Sequence, residues 1–252
     1  MAEVEENMKK NLHRFYVPQE NIRDNTVILP AEHGNHIKNV LRMKPGDGCI
    51  VFDGTGFEYE IQLEKIYPEP EGRIISRVIA GTPGRIKLTL AQGLAKGDKM
   101  DLIIQKCSEI GVDTFIPCRS ERTIVKVDLA GAAKKQERWQ KIARSAAEQS
   151  HSTTVPVVAP VADLNELFKQ VTPGQLAIIP WENEKTTGLK NILRGTAARD
   201  IIVFIGPEGG FSDKEITAAK YAGVIPVSLG SRILRTETAG IVVSSIVRYE
   251  LD

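Results

Sequence analysis

The sequence is poor in the features that mark membrane-spanning, secreted and zinc-binding proteins. No stretch approaches the roughly 20 consecutive apolar residues that a membrane-spanning helix needs. The first ten residues are acidic and then basic, with no apolar run after them, so we also expect no secretory signal. The three cysteines are an odd number and form no C-x-x-C pair. This argues against a disulfide framework or a zinc site and predicts a cytoplasmic protein.

The short motifs of several large enzyme classes are also missing. The sequence contains no G-x-G-x-x-G, G-x-x-x-x-G-K-[ST], H-E-x-x-H or G-x-S-x-G. A dinucleotide fingerprint, a P-loop, a zinc-protease helix and a hydrolase elbow are therefore absent. His33 and His36 fit one helix face, but no third ligand stands near them in the sequence, and we predict no metal site.

Positive charge is concentrated in one segment, although the formal net charge of the chain is only +1. Residues 119–144 carry eight Lys or Arg and three Asp or Glu. A local basic face can bind phosphate groups even on a nearly neutral chain. A plain solvated helix face has the same composition, so the segment is a candidate RNA-contacting surface with that alternative left open.

The first third of the chain has the pattern of a small β-rich domain. A strand-like run over residues 48–52 and an alternating stretch over residues 57–66 flank the turn dipeptide Asp53-Gly54, which predicts a β-hairpin. The run Gly81-Thr82-Pro83-Gly84 then interrupts the pattern, and we place the domain boundary there. The predicted domains span residues 1–82 and 83–252. Within the first domain, the predicted elements are a helix over residues 32–41 and strands over residues 48–52, 57–66 and 73–80.

After this boundary, strand-like and helical stretches alternate, which predicts an α/β domain with a parallel sheet. Ser212 and Glu215 have the S-x-x-E spacing of a capping box at a helix start, and Gly111 is expected to end another helix. From the pattern alone, the domain would be an unknotted doubly wound sheet. Strands are predicted over residues 86–91, 114–117, 176–180, 201–205 and 225–229, and helices over residues 98–111, 134–149, 188–193, 212–222 and 236–249.

Two glycine-bearing loops follow predicted strands of this sheet. Residues 206–211 (GPEGGF) come directly after one strand, and residues 230–237 (GSRILRTE) come directly after the next strand along the chain. Ligands of open α/β sheets bind at the carboxyl ends of the strands, and glycine lets the backbone approach a ligand closely. Either loop alone fits a plain strand-to-helix turn, but the pair predicts a ligand site.

These loops resemble the cofactor-binding signature of the SPOUT methyltransferases, and the chain is similar to the 16S ribosomal RNA uridine-N3 methyltransferase family. The similarity also covers His13-Arg14-Phe15, residues 36–47 and 106–111, and Ala146-Ala147-Glu148-Gln149. It implies a small N-terminal PUA-like β-barrel domain and a C-terminal SPOUT-type parallel sheet with a trefoil knot. It further implies a homodimer, S-adenosylmethionine as cofactor, and methylation of one uridine of the small-subunit RNA.

The resemblance places the cofactor against both glycine loops, with the end of an earlier strand as a third wall. The residues implied in cofactor binding are Pro180, Trp181, Ile205, Gly206, Glu208, Gly209, Gly210, Leu229, Gly230, Ile233, Leu234 and Thr236. No metal ion and no membrane is implied. We expect RNA contacts from Arg14, Arg42, Arg122, Lys134, Arg138 and Lys141.

Methylation at N3 of uracil makes specific demands on the side chains around it. N3 lies on the Watson–Crick edge, so the uridine has to be unpaired or flipped out of a helix. N3 also carries a proton that has to be removed, and a cation near the uracil oxygens would stabilise the anion. We predict Arg232 or Arg235 as that cation and Glu208 or Glu237 as the proton acceptor. Glu237 also fits the plain role of a carboxylate in a first helical turn.

One segment departs from the family pattern. Ser152 and Thr154 stand where the family usually has arginines, which weakens the expected phosphate contacts and leaves the target position open. Three alternatives therefore remain: a SPOUT enzyme acting on another RNA position, a non-catalytic RNA-binding assembly factor, and an unrelated α/β oxidoreductase. The intact glycine loops disfavour the second, and the missing dinucleotide fingerprint disfavours the third.

Overall fold

The chain divides into two compact units, which are described separately. The computed structural model describes residues 12–79, 84–125 and 128–252. One unit is Met1–Pro83 with Ala147–Val155, and the other is Gly84–Ala146 with Pro156–Asp252. Of the predicted boundary, residues 81–83 lie outside the described residues, and the boundary stays a prediction. Among the described residues, none of the helices combines the length and the apolar character needed to cross a membrane.

The first unit is built on one six-stranded sheet in which β4 and β5 form an antiparallel pair. This pairing confirms the predicted hairpin. At its turn, the Thr55 N–H donates to Asp53 Oδ1 at 2.8 Å, and Gly54 has a φ of +82°, which favours glycine. The strands are β1 (Arg14–Tyr16), β2 (Ile22–Arg23), β3 (Thr26–Ile28), β4 (Gly48–Phe52), β5 (Phe57–Lys65) and β6 (Glu71–Ile79), in the order β1-β4-β5-β6-β3-β2.

A short helix covers one side of the core of this unit. Helix α1 (Ala31–Asn35) continues as a π-helical turn (His36–Val40), in agreement with the helix predicted over residues 32–41. Its Ile37 side chain is fully buried together with Val51 and Ile61 of the sheet. Burying apolar side chains from alternate strand positions and from one helix face stabilises this layer.

The second unit alternates strands and helices around a parallel sheet, as predicted. Its strands are β7 (Lys87–Gly93), β8 (Thr114–Arg119), β9 (Val157–Val158), β10 (Ala162–Asp163), β11 (Leu176–Pro180), β12 (Asp200–Ile205) and β13 (Ile225–Val227). Its helices are α2 (Lys99–Ile110), α3 (Leu129–Gln149, whose last three residues belong to the first unit), α4 (Leu164–Lys169), α5 (Leu189–Arg194), α6 (Asp213–Tyr221) and α7 (Thr236–Leu251). Elements β9, β10 and α4 were not predicted, because they are too short to show a clear hydrophobic period.

The strand order of this sheet is β10-β8-β7-β12-β11-β13, with β9 beside β8. The strands that precede the two glycine loops, β12 and β13, are therefore not neighbours, because β11 lies between them. The carboxyl end of β7 lies beside that of β12, with Gln92 opposite Ile205. Apolar clusters lie on both faces of the sheet, so its central strands are buried on both sides, as in other parallel sheets.

Local signals at the helix ends are also confirmed. Ser212 and Glu215 form the predicted capping box, with each side chain accepting the backbone N–H of the other. Gly111 follows the last residue of α2 with a φ of +100°, the left-handed conformation that ends many helices. Helix α3 begins at Leu129, five residues before the predicted start at residue 134.

Candidate functional site

A cavity of about 470 Å³ lies in the second unit, at the carboxyl ends of its central strands. Small-molecule sites of about 300–1,000 Å³ commonly occur in this position in α/β sheets. Five parts of the chain form the wall: the first residue of α2, the end of β11, the loop after β12, the loop before α7 and the start of α7. The lining residues are Lys99, Pro180, Glu182, Ile205, Gly206, Pro207, Glu208, Gly209, Gly210, Phe211, Ile233, Leu234, Arg235, Thr236 and Ala239.

The loop at residues 206–211, here called the glycine loop, forms one side of this cavity. Its backbone turns tightly, because Gly210 has a φ of +65° and its N–H donates to the Pro207 carbonyl at 2.9 Å. A Cβ on Gly206 would lie 3.3 Å from the Gly210 Cα. Side chains at Gly206 and Gly210 would fill the turn. Because both residues are glycines, their backbone atoms can face the cavity.

Three side chains from outside hold the glycine loop. The Thr236 hydroxyl donates to the Gly206 carbonyl at 2.5 Å, and its oxygen accepts a hydrogen bond from Gln92 Nε2 at 2.9 Å. Arg122 Nη1 donates to the Gly209 carbonyl at 3.0 Å. Glu208 Oε1 accepts hydrogen bonds from Lys99 Nζ and from the Lys96 N–H, both at 3.0 Å. The loop conformation is therefore set by residues distant from it in sequence.

The charged residues at the cavity entrance form a connected group. Lys99 Nζ also lies 3.5 Å from Glu237 Oε2, so one ammonium group lies between two carboxylates. Desolvation favours a higher pKa for Glu208, but the hydrogen bonds from Lys96 and Lys99 outweigh it and hold the pKa of Glu208 below its ordinary value. Hydrogen bonding to Glu208, above all, raises the pKa of Lys99. Both groups are therefore charged at neutral pH.

The end of β11, which the family resemblance implies as a third wall for the cofactor, lies at the cavity. Pro180 lines the cavity, and Trp181 is half-buried against the apolar cluster on one face of the sheet. The following loop closes on Glu184, whose carboxylate accepts hydrogen bonds from the Thr186 hydroxyl and from the N–H groups of Thr186 and Thr187. The hydroxyl of Thr186 contributes most to lowering the pKa of Glu184 to about 2.

Most of the residues predicted to bind the cofactor lie together in this cavity. Nine of the twelve line it, whereas Trp181, Leu229 and Gly230 do not. Of the four predicted catalytic residues, Glu208 and Arg235 line the cavity and Glu237 contacts it through Lys99. Arg232 is exposed and lies outside the lining. The site assignments stay predictions, but the fold brings most of the predicted residues into one place.

The residues predicted to contact RNA are in different environments. Lys134 and Lys141 of α3 and Arg42 are exposed. Arg138 pairs with Asp101 of α2, and Arg122 holds the glycine loop. Arg14 is nearly buried in an ion pair with Glu58 and also donates to the Ser152 carbonyl at 3.4 Å. At the two positions expected to depart from the family pattern, the Thr154 N–H donates to the Ser152 hydroxyl.

Sequence reasoning missed Lys99 and Gln92, and it assigned Arg122 to RNA alone. Lys99 and Gln92 flank the carboxyl end of β7, which lies beside β12. The signal was present in the sequence, because residues just after a buried parallel strand face the ligand edge of the sheet. This signal could not be assigned to the site, because the sequence does not show that β7 lies beside β12. Within the described residues, no group of three or more His, Cys, Asp or Glu is placed to hold a metal ion.

Comparison with known proteins gives matches along nearly the whole chain. A family model described as an RNA methyltransferase domain matches residues 82–248, and one described as an RNA methyltransferase PUA domain matches residues 29–69. The ribosomal RNA small subunit methyltransferase E of Bacillus subtilis (strain 168) is 34% identical over 239 residues, which are 90% of this chain and 91% of the relative. That of Synechocystis is also 34% identical, over 90% of this chain and 74% of the relative.

Solved structures also match the fold of this chain. The ribosomal RNA small subunit methyltransferase E from Neisseria gonorrhoeae, bound to S-adenosyl methionine, superposes with a TM-score of 0.86 at 34% identity. The superposition covers 95% of this chain and 98% of that chain. A probable rRNA methyltransferase from Porphyromonas gingivalis superposes with a TM-score of 0.82 at 30% identity, over 95% of this chain and 98% of that chain.

Proposed function

Because the chain belongs to the RNA methyltransferase family that includes these relatives, we propose that it methylates N3 of one uridine in 16S ribosomal RNA, with S-adenosylmethionine as cofactor. The cavity at the end of the parallel sheet is the observation that carries the proposal. It holds nine of the twelve residues predicted for the cofactor, contributed by three separate segments of the chain.

The cavity fits the size and the polarity of this cofactor. Its volume of about 470 Å³ lies in the range of sites for ligands of that size, roughly 300–1,000 Å³. Ile205, Phe211 and Leu234 offer apolar surface to a ring, and the glycine loop offers backbone amides and carbonyls close to it. Glu182, Glu208 and Lys99 supply charges for the polar end of a ligand that carries an amine, a carboxylate and a sulfonium.

S-adenosylmethionine, when bound, supplies an activated methyl group. The residues of the chain would hold it and orient the uracil toward it, and positioning of this kind accounts for much of the rate gain in a transfer between two bound molecules. Backbone groups of Ile205, Gly206, Gly210 and Leu234 would hold the cofactor. The end of β11 at Pro180 would close the third side and exclude water.

Arg235 is the best-placed cation for the uracil oxygens. It lines the cavity, and within the described part of the chain it makes no ion pair or side-chain hydrogen bond. A free guanidinium would stabilise the negative charge that develops on the uracil when the N3 proton leaves. Glu208 is a poor proton acceptor because its pKa is lowered, and an effective base has a pKa near the working pH. Glu237, which pairs with Lys99, is the other candidate from the sequence.

The exposed lysines of α3 provide the clearest test of an RNA surface. Changing Lys134 and Lys141 together to alanine is expected to raise the dissociation constant for small-subunit RNA about tenfold at ~0.1 M salt, because phosphate contacts release counterions. The slope of log affinity against log salt should fall by about 2, close to 1 for each lysine. Cofactor affinity should not change. Filter binding across a salt series and calorimetry measure the two quantities.

Lys190 on α5, which is also exposed, is a suitable control for that experiment. Its change to alanine should leave RNA binding as it is. Arg138 is left intact, because it pairs with Asp101 and its loss would disturb the packing of α3 on α2. An equal loss of RNA and cofactor affinity in the double variant would contradict a dedicated RNA surface on α3.

Transfer of labelled methyl from S-adenosylmethionine tests the proposed function as a whole. The substrates are small ribosomal subunits from cells that lack the N3-methyluridine modification, naked 16S RNA, and large subunits. Label is expected on one uridine of the small-subunit RNA, identified as N3-methyluridine by nucleoside mass spectrometry. Absence of label from all three substrates, in an enzyme that binds the cofactor, would overturn the proposed target.

A second candidate is methylation of another position in RNA by the same site. The observation that favours it is the pair Ser152 and Thr154, which replaces two family arginines and forms local hydrogen bonds. The same assay distinguishes the two, because label would then appear on a different nucleoside or on a different RNA. The proposal also includes a homodimer, a cytoplasmic location and the trefoil knot, all as implied by the family.

A further inference from the structure

Lys99 is the point at which three elements of the cavity wall meet. It is the first residue of α2, and its ammonium group lies 3.0 Å from Glu208 of the glycine loop and 3.5 Å from Glu237 at the start of α7. Lys99 and Glu208 both line the cavity. The Lys99 side chain thus connects α2 to the glycine loop, 109 positions further along the chain, and to the start of α7.

Glu208 is the only charged residue of the glycine loop, and its side chain is long enough to pair with another element. Its Oε1 accepts hydrogen bonds from both Lys99 Nζ and the Lys96 N–H. Hydrogen bonds to a charged group are about twice as strong as neutral ones. Gly206, Gly209 and Gly210 give the loop more conformational freedom to lose than other residues would, and Pro207 restricts it at one position only. The loop therefore depends on this link more than a loop of ordinary composition would.

The other charged groups around the cavity do not replace Lys99. Arg235 and Glu182 line the cavity, but Glu182 carries the same charge as Glu208, and Arg235 makes no ion pair within the described residues. Arg122 holds the neighbouring Gly209 through its carbonyl and not through Glu208. Without Lys99, the carboxylates of Glu208 and Glu237 would face each other without a cation between them, and their repulsion would push the loop away from α7.

We propose that Lys99 is a positioning residue that fixes the glycine loop, through Glu208, in the conformation that receives the cofactor. Glu208 then serves as the anchor of the loop and not as the proton acceptor. The lowered pKa of Glu208 agrees with this role, since the carboxylate stays ionised until the pH falls through that lowered value. The identity of the cofactor rests on the proposed function, whereas the role of Lys99 in ordering the loop does not.

The alternative is that Lys99 acts on the substrate as the cation near the uracil oxygens. The two roles predict different measurements. A positioning residue changes cofactor affinity and the mobility of the loop in the absence of RNA. A cation for the uracil changes kcat with RNA and leaves the affinity of the enzyme for S-adenosylmethionine unchanged.

Three variants of the full chain separate these roles: Lys99→Met, Lys99→Arg and Lys106→Met. Lys106 is the matched control, because it lies on the same helix and pairs on the surface with Glu109. Hydrogen–deuterium exchange of residues 206–211 is measured without cofactor, and S-adenosylmethionine affinity is measured by calorimetry. Lys99→Met is expected to speed hydrogen–deuterium exchange in the loop. It is also expected to lower the affinity for S-adenosylmethionine about tenfold or more, the usual effect of losing a hydrogen bond to a charged group.

Lys99→Arg should restore most of the loop protection and most of the S-adenosylmethionine affinity. Lys106→Met should match the unmodified protein in both measurements. Glu208→Gln keeps the shape of the side chain and is a second route to the same link if Lys99→Met folds poorly. The double variant Lys99→Met/Glu208→Gln should be no worse than the poorer single variant, because both changes break one interaction. Additive losses, or an unchanged loop and cofactor affinity with a lower kcat, would overturn the proposal.

Failure of the proposed function would look different. An unmodified protein that binds no S-adenosylmethionine, or that labels no small-subunit RNA, would count against the proposed function. The exchange measurement needs neither cofactor nor RNA, so it would still decide whether Lys99 orders the loop.

Discussion

Replacing Gly93 by alanine is expected to weaken S-adenosylmethionine binding about a hundredfold and to lower the free energy of unfolding by about 1–3 kcal/mol. A Cβ at this position would lie 2.6 Å from the Pro207 backbone nitrogen and 2.9 Å from the Gly206 carbonyl carbon. These distances are shorter than any non-bonded contact that a Cβ tolerates. The glycine loop or the end of β7 therefore has to move.

The strand is the less movable of the two. Gly93 pairs with Cys118 of β8, and the preceding Gln92 pairs with Ile205 of β12, so β7 is held on both sides. The glycine loop belongs to no strand and is exposed at Glu208 and Gly209, so it gives way more easily, although Pro207 itself is buried. A displacement of about 1 Å in a positioning segment can cost about a hundredfold, which corresponds to about 2.7 kcal/mol and is comparable to the expected loss of stability.

Gly188 is the control position for this experiment. Nothing lies within 4 Å of a Cβ placed on it, and its φ of −76° suits any residue. Gly188→Ala should leave the S-adenosylmethionine affinity and the free energy of unfolding within error of the unmodified protein. Denaturant unfolding and calorimetry with S-adenosylmethionine measure them. A Gly93→Ala protein with full cofactor affinity would show that the glycine loop is not held against β7 in the way described.

Changing Thr236 to valine is expected to lower the free energy of unfolding by about 1–3 kcal/mol and to weaken cofactor binding by about tenfold. Valine keeps the shape of threonine but removes the hydroxyl. The Gly206 carbonyl then loses its donor, and the fully buried Gln92 amide loses one of its two acceptors, keeping only the Gly93 carbonyl at 3.0 Å. Buried polar groups left without partners account for the cost.

Serine at position 236 separates the hydroxyl from the methyl group. Thr236→Ser keeps both hydrogen bonds and removes only one buried methyl, so it should retain most of the cofactor affinity. If valine keeps full cofactor affinity and serine loses it, the methyl contact matters and the hydrogen-bonded chain from Gln92 to Gly206 does not. Thermal unfolding with and without cofactor distinguishes these results, because at a given concentration a tighter ligand stabilises the folded state more.

Much of the fold followed from the sequence, for local reasons. The hairpin at Asp53-Gly54, the capping box of Ser212 and Glu215 and the helix end at Gly111 were all predicted, because each depends on residues within a few positions of one another. The alternation of strands and helices predicted the parallel sheet in the same way. The two glycine-bearing loops and the family resemblance then indicated the sheet edge at which the cofactor is proposed to bind.

The grouping of the charged residues needed the tertiary structure. Lys99 and Gln92 reach the glycine loop only because β7 lies beside β12, and β11 separates the two strands that precede the loops. Arg138 and Arg14 looked like free cations in the sequence, but the fold places Asp101 beside one and Glu58 beside the other.

The amino-acid sequence by itself indicated most of the longer strands and helices, both glycine-bearing loops and the family of the chain, but not the short elements β9, β10 and α4. The tertiary structure decided which distant side chains meet at those loops. The physical reason is that strand order in a parallel sheet is fixed by the packing of crossover helices over long sequence separations. Residues 109 positions apart, such as Lys99 and Glu208, carry no local signal that they will pair.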